Sequence, residues 1–142
     1  MINHVFALAV TVTVIGGTAA LAQTPPQAPP AKAPDSLSVY FASGSAAISS
    51  QAEAVMDQAA RTYRDGKPII MVVAGGSDAT GSANANLLLS QQRADNVLHG
   101  LVARGIPVER FQVLAKGETE PAVPTSPGTA EARNRRVEIS WR

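Results

Sequence analysis

The stretch GGSDATGSANANLLLSQQRADNV, residues 75–97, decides how this chain is read. Before it lies the apolar run IIMVVA, residues 69–74, entered from Pro68. A continuous apolar run bounded by turn residues reads as a central strand covered on both faces. After it the pattern changes period. A helix is expected to start near Ala83 or Asn84 and to end at Arg104, before Gly105, with Leu87, Ala94, Val97, Leu98, Leu101 and Val102 as its apolar stripe. The stretch is therefore a strand–turn–helix. Its turn holds one carboxylate, Asp78, and its helix carries one guanidinium, Arg93.

The neighbouring segments repeat these signals. Leu37, Val39 and Phe41 alternate with Ser38 and Tyr40, a half-buried strand. Ser49 or Ser50 is placed to cap a helix that runs to about Asp65, with Gly66 as its stop. The buried stripe of that helix is Ala52, Val55, Met56, Ala59, Ala60 and Tyr63; Glu53, Asp57, Arg61 and Arg64 fall on the other side. Phe111, Val113 and Ala115 alternate as a third strand, and Val137, Ile139 and Trp141 as a fourth. The order βαβαβ-loop-β predicts an α+β fold, a two-layer sandwich with two helices packed on a four-stranded sheet. Residues 117–133 carry three prolines and two glycines. A loop of that length inside a compact domain is functional, mobile or simply wandering.

Composition excludes several functions. The chain has 142 residues, enough for one domain, and 45% of them are hydrophobic but only 4% aromatic. Twelve basic and 11 acidic residues leave a net charge of +1, which speaks against nucleic acid as a partner. There is no cysteine, hence no disulfide, thiolate zinc site or lipidated cysteine. His4 and His99 are the two histidines, so no metal site and no cofactor is expected. Residues 1–22 lack any Lys, Arg, Asp or Glu and end in Ala20-Leu21-Ala22, the pattern of a secretory signal cleaved after Ala22. The alternative is an uncleaved anchor, although residues 5–22 fall slightly short of the ~20 needed to span a bilayer. Membrane contact is expected only if residues 5–22 are retained. Residues 23–36 hold five prolines and read as an extended linker. The domain proper is expected over 37–142, facing the periplasm or another part of the cell envelope.

The site can be sketched from residue types. On a helix, Asn86 and Arg93 fall within ~20° of one another and ~10.5 Å apart along the axis. Helical side chains lean toward the N-terminus, so Arg93 reaches back toward the turn of Asp78. Gly75, Gly76 and Gly81 let that turn bend tightly and expose N–H groups at the helix start. An acid, a base and free N–H groups suit a small zwitterion, with Asp78 accepting from an ammonium and Arg93 forking onto a carboxylate. The alternative is a structural Asp78–Arg93 ion pair, and spacing alone leaves the two open.

The segment resembles the OmpA-like peptidoglycan-binding domain, of the OmpA C-terminal, Pal and MotB type. The shared pattern is Gly75, Ser77-Asp78, Gly81, Asn86, Leu89-Ser90 and Arg93-Ala94. It continues into Gly105-Ile106-Pro107, Gly117-Glu118, Pro121 and Asn134-Arg135-Arg136-Val137-Glu138-Ile139, and covers the opening VYFASGSAAI. The resemblance implies non-catalytic binding of peptidoglycan through the diaminopimelate side chain of its stem peptide, in anchoring or integrity of the envelope. It gives Asp78 the ammonium and Arg93 the carboxylate. Ser77, Gly81, Asn86 and Leu89 become flanking contacts, and Asn134 and Arg135 close the pocket. The alternative for Arg135 is a buried partner of Asp78 without a ligand role. Departures from the pattern are Ser77 for Thr, Gly76 for a bulkier residue, and Ala42 where many members have an acid; they bear on affinity and ligand preference.

Enzyme readings fail on residues. Gly76 to Gly81 has phosphate-loop spacing, but Ser82-Ala83 follows where Lys-Ser/Thr is required. No G-x-S-x-G elbow or supported acid pair is present. The competing non-enzymatic reading is an envelope module that keeps this fold to dock a partner protein.

Overall fold

The computed structural model describes residues 35–68 and 70–142. The expected signal or anchor, the expected linker up to residue 34, and Ile69 lie outside the described residues. The elements are β1 (Ser36–Tyr40), α1 (Ser50–Gly66), β2 (Met71–Gly75), α2 (Ala83–Ala103), β3 (Phe111–Ala115) and β4 (Arg136–Trp141), with single 3-10 turns at Val108–Arg110 and Ala132–Asn134. This is the expected α+β order, with two helices on a four-stranded mixed sheet.

The sheet order is β1-β4-β2-β3. β4 runs antiparallel to both β1 and β2, and β3 is parallel to β2. Strands β1, β2 and β3 therefore all end at the same edge of the layer, where β4 begins and α2 starts. Because β4 lies between β1 and β2 while β3 is outermost, the β3–β4 connection must cross the end of β2. That crossing is why residues 117–133 form so long a loop.

Rows across the sheet carry the core. Leu37, Ile139, Val73 and Val113 stand in register, and so do Val39, Val137, Gly75 and Ala115. On the helical side Met56, Ala59, Val97 and Leu101 complete a core with Met71 and Val73. Small residues set the spacing between layers. A Cβ on Gly100 would stand 2.6 Å from Met56 Sδ. One on Gly75 would stand 2.0 Å from the carbonyl oxygen of Ser90, so only glycine lets α2 approach β2 this closely.

Three details differ from expectation. The first helix includes Gly66, and the left-handed stop is Lys67 (φ 43°), whose N–H reaches Tyr63 O at 2.7 Å. The run before residue 75 is central but has helices on one face only. Val72, on the reverse face, is buried between its register partners Ser140 and Gln112, while Ile70 precedes the strand and is exposed. Finally, Leu87 and Val102 of the expected α2 stripe are 47% and 37% exposed. The buried line of α2 is Asn86, Ser90, Arg93, Ala94, Val97 and Leu101. Its first half is polar because it faces the loop cluster instead of the core.

Candidate binding site

Every residue expected at the site belongs to the loop end of the sheet or to the first half of α2, as far as Arg93 at its middle. Ser82 caps α2, its Oγ accepting from the Ala85 N–H at 3.2 Å. Gly81 before it takes φ +83°, which glycine allows at little cost.

Arg93 is fully buried. Its Nε donates to Ser45 O at 2.8 Å, Nη1 to Gly76 O at 3.0 Å and Nη2 to Ala42 O at 3.1 Å. The guanidinium carbon sits 5.3 Å from the Phe41 ring centroid, a cation–π distance. It thus reaches back to the glycine turn as its helical position requires, and it ties the β1–α1 loop to the β2–α2 loop. Burial lowers its pKa, the nearby Asp78 charge raises it, and Arg135 lowers it further; the net direction is down.

Asp78 does not pair with Arg93. Its ion partner is Arg135, whose Nη1 stands 3.1 Å from Oδ2. Glu131 N–H also approaches Oδ2, at 3.4 Å. Oδ1 accepts from Thr80 Oγ1 at 2.6 Å and Thr80 N–H at 3.4 Å. Burial would raise the Asp78 pKa, but the hydrogen bonds from Thr80, Arg135 and Glu131 outweigh it and hold the carboxyl below the ordinary range. Arg135 is itself held by Nε on Phe41 O at 3.1 Å. Arg135 is thus tied both to Asp78 and to the end of β1.

The remaining expected residues serve the same cluster. Ser77 is buried, donates its hydroxyl to Asp78 O at 3.1 Å, and its N–H donates to Gly117 O at 2.8 Å. Asn86 donates Nδ2 to Glu118 Oε2 at 2.5 Å. Asn134 is buried and spends both ends of its amide on the backbone of Val123, at 2.8 and 2.9 Å, pinning the middle of the long loop. Leu89 is half-buried beside them on α2. The wall expected to be thin at Gly76 is closed by backbone: a Cβ there would meet Asn134 O at 3.3 Å. No buried side-chain nitrogen or oxygen among the described residues lacks a partner.

Sequence reasoning missed Thr80, Glu131 and the bridging role of Ser90. Thr80 sits two residues after Asp78, the spacing of a local side-chain turn, and that signal was available. Ser90 is fully buried, and its Oγ accepts the Gly117 N–H at 2.9 Å while donating to Leu87 O. Glu131 acts through its backbone, for which no side-chain signal exists.

Beside this cluster lies a cavity of about 140 Å³. Ser77 and Ala79 form one wall, Asn134 a second, and Glu118, Pro121, Thr125 and Pro127 of the long loop the rest.

Comparison with known proteins bears on the family and the fold. Residues 40–135 match the model of the OmpA family. The chain is 32% identical over 102 residues to a probable lipoprotein, YiaD, of Escherichia coli strain K12, covering 72% of this chain and 47% of that one. It is 30% identical over 103 residues to the peptidoglycan-associated lipoprotein of Pasteurella multocida, covering 72% and 69%. Among solved structures, the peptidoglycan-associated lipoprotein of Burkholderia pseudomallei superposes with a TM-score of 0.67 at 26% identity, covering 74% of this chain and 89% of that one. The chain thus spans about half the length of the first relative and about two thirds of the second.

Proposed function

The chain belongs to the OmpA family, whose domains are binding modules and not enzymes, and we propose that it binds peptidoglycan in the bacterial cell envelope. The observation that carries this reading is the match over residues 40–135, which takes in the whole loop cluster from Phe41 to Arg135. Relatives named for association with peptidoglycan support the ligand class.

The finer proposal is that the ligand group is the diaminopimelate side chain of the stem peptide, which ends in an ammonium and a carboxylate. Asp78 and Arg93 are the residues the binding requires, with Ser77, Gly81, Asn86, Leu89, Asn134 and Arg135 around them. In this proposal Arg93 receives the carboxylate and Asp78 the ammonium, and Asn134 and Arg135 close the pocket. The proposed setting is the periplasmic face of the envelope, where a repeated ligand adds avidity to a modest single-site affinity.

The test is co-sedimentation of the chain with diaminopimelate-type sacculi. Asp78→Ala or Arg93→Ala should abolish it, and amidating the diaminopimelate carboxylate should weaken it with the protein left intact. Unchanged sedimentation in both variants and with amidated sacculi would remove this site from consideration.

A further inference from the structure

The two edges of the sheet, β1 and β3, are not alike. β1 reads SLSVY and has no charged residue, proline or glycine. Open edges are ordinarily blunted by Lys, Pro or a bulge, because their free N–H and C=O groups recruit another strand. The hydrogen-bond parity of β1 is fixed. Phe41 N–H donates to Arg135 O at 2.9 Å, while Gly76 N–H donates to Arg136 O at 2.8 Å. Odd-numbered residues of the segment 135–139 therefore bond to β1, and even-numbered ones to β2. In β1 the backbones of Leu37 and Val39 bond inward. Those of Ser36, Ser38 and Tyr40 point outward, where β1 has no neighbouring strand.

A groove opens along that edge on the helical side. Val39 and Tyr40 form its floor, and Ser49, Ala52 and Val55 at the start of α1 form its wall. Its cavity of about 80 Å³ is several times the ~10–15 Å³ that one water needs. No charged side chain lines it.

We propose that β1 is the interface through which two copies of this chain pair, antiparallel, about a twofold axis at Ser38. Ser38 then pairs with Ser38 of the second copy, and Ser36 with Tyr40. Each pair exchanges two backbone hydrogen bonds through groups that already point outward. Leu37 and Val39 lie on the core side of the sheet. In this register Leu37 of the second copy stands beside Val39, where Ala52 and Val55 wall the groove. A leucine so placed fills the cavity, and this match favours a second copy over an unrelated strand. A slip of one residue would set outward groups against inward ones and turn the leucine to the other face. No like charges meet, since the strand carries none. The same operation on β3 about Val113 would set Arg110 against Lys116 of the second copy, a like-charge contact. Self-pairing therefore belongs to the β1 edge.

Antiparallel pairing joins the two sheets into one and turns the two loop clusters to opposite edges of it. On the peptidoglycan reading, on which this consequence alone rests, a dimer bridges two stem peptides instead of doubling its grip on one.

The experiment is sedimentation equilibrium of the full chain from low micromolar to near-millimolar concentration, with amide hydrogen exchange at both ends of that range. A contact under ~1,200 Å² in total dimerises weakly and reversibly. The mass should rise from 14.7 kDa toward twice that value. The amides of Ser38 and Tyr40 should gain about tenfold protection or more as the dimer fills, and Val39, already bonded to Val137, should change less. Ser38→Pro removes an outward N–H at a place where an edge strand tolerates proline, and should hold the chain monomeric with its circular dichroism unchanged. Ser38→Lys opposes two ammonium groups and should weaken dimerisation about fivefold, which keeps the test decisive where the proline variant does not fold. A chain monomeric over the whole range overturns the proposal. So does association that both variants leave unchanged, or that proceeds without protection of Ser38 and Tyr40. Protection of those amides in a chain that stays monomeric gives the edge to another occupant, and overturns it as well.

Discussion

Replacing Arg93 by Met should cost the domain far more stability than a surface arginine would. Met keeps most of the apolar stem and removes the fork. The carbonyl of Gly76 is buried and would lose its donor, which costs ~1–3 kcal/mol. The carbonyls of Ser45 and Ala42 are partly buried and water can replace part of what they lose, so ~0.5–1.5 kcal/mol each is at stake. The contact with Phe41 adds ~0.5–1 kcal/mol. Against this, removing the charge relieves its burial, whose pressure shows in the lowered pKa of Arg93. The net expectation is a loss of ~2–4 kcal/mol. For a domain of this size that lowers Tm by about 10–25 °C. Thermal and urea unfolding of the full chain followed by circular dichroism measures it. Arg93→Lys should fall between wild type and Arg93→Met, because an ammonium keeps the charge but cannot reach three carbonyls in a plane. A loss below ~1 kcal/mol in Arg93→Met would refute the view of Arg93 as the clasp of the two loops. Limited proteolysis should report the same event locally, with new cuts at residues 42–49 and 76–82.

Three further outcomes follow from the same geometry. Asp78→Asn should cost ~2–3 kcal/mol at neutral pH. Its folded-state pKa is depressed, so the stabilisation is present above the ordinary aspartate value of about 3.9 and disappears as pH falls through the folded value; a wild-type-minus-variant difference constant from neutral to acid pH would contradict this. Gly75→Ala should destabilise by ~3 kcal/mol or more, since its Cβ would lie 2.0 Å from Ser90 O, and a variant with unchanged Tm would show that α2 can retreat freely. Lys67→Gly should stabilise by ~0.5–1 kcal/mol, the ~1–2 kcal/mol of left-handed strain less the entropy of glycine; urea denaturation that finds a loss would place the strain elsewhere.

The fold was legible because local period and tertiary demand agree over most of the chain. The alternation at Val137, Ile139 and Trp141 and the stripe at Ala52, Met56, Ala59 and Ala60 are satisfied by one core. Strand order was not legible, since register Val73↔Ile139↔Leu37 depends on which strand fills the centre, and no local signal states it. The α2 stripe was misread for an instructive reason. Leu87 and Val102 are apolar and exposed, whereas Asn86, Ser90 and Arg93 are polar and buried. A hydrophobicity pattern assigns the apolar residues to the inside, but here the first three turns of the helix turn a polar line toward the loop cluster. The residues named for the site do converge at one end of the sheet. Their pairing was the part beyond reach: Asp78 could meet Arg93 or Arg135 on charge alone, and the topology that brings Arg135 to the head of β4 decides between them.

That topology also explains why a site sits at this end and not the other. Three parallel strands and the start of α2 bring their loops to one edge, and the β3–β4 connection has to cross them to insert β4 between β1 and β2. A crossing loop carries backbone groups that need partners and side chains that need space. The partners are found in the loops it crosses: Gly117 N–H on Ser90, Gly128 N–H on Ala79 O, Glu131 N–H on Asp78, and the Val123 backbone on Asn134. Each of these contacts joins the loop to a residue of the cluster or to its neighbour. The loop is thus held at several points and stands off between them, and the cavity beside Ser77 and Glu118 is that standoff. Asn134→Ala isolates this claim, because Asn134 anchors the loop without reaching Asp78 or Arg93. The variant should leave the core strands protected from amide hydrogen exchange and accelerate exchange over residues 119–129. Uniform acceleration across β2 and β4 would mean instead that the loop is part of the core's cooperative unit.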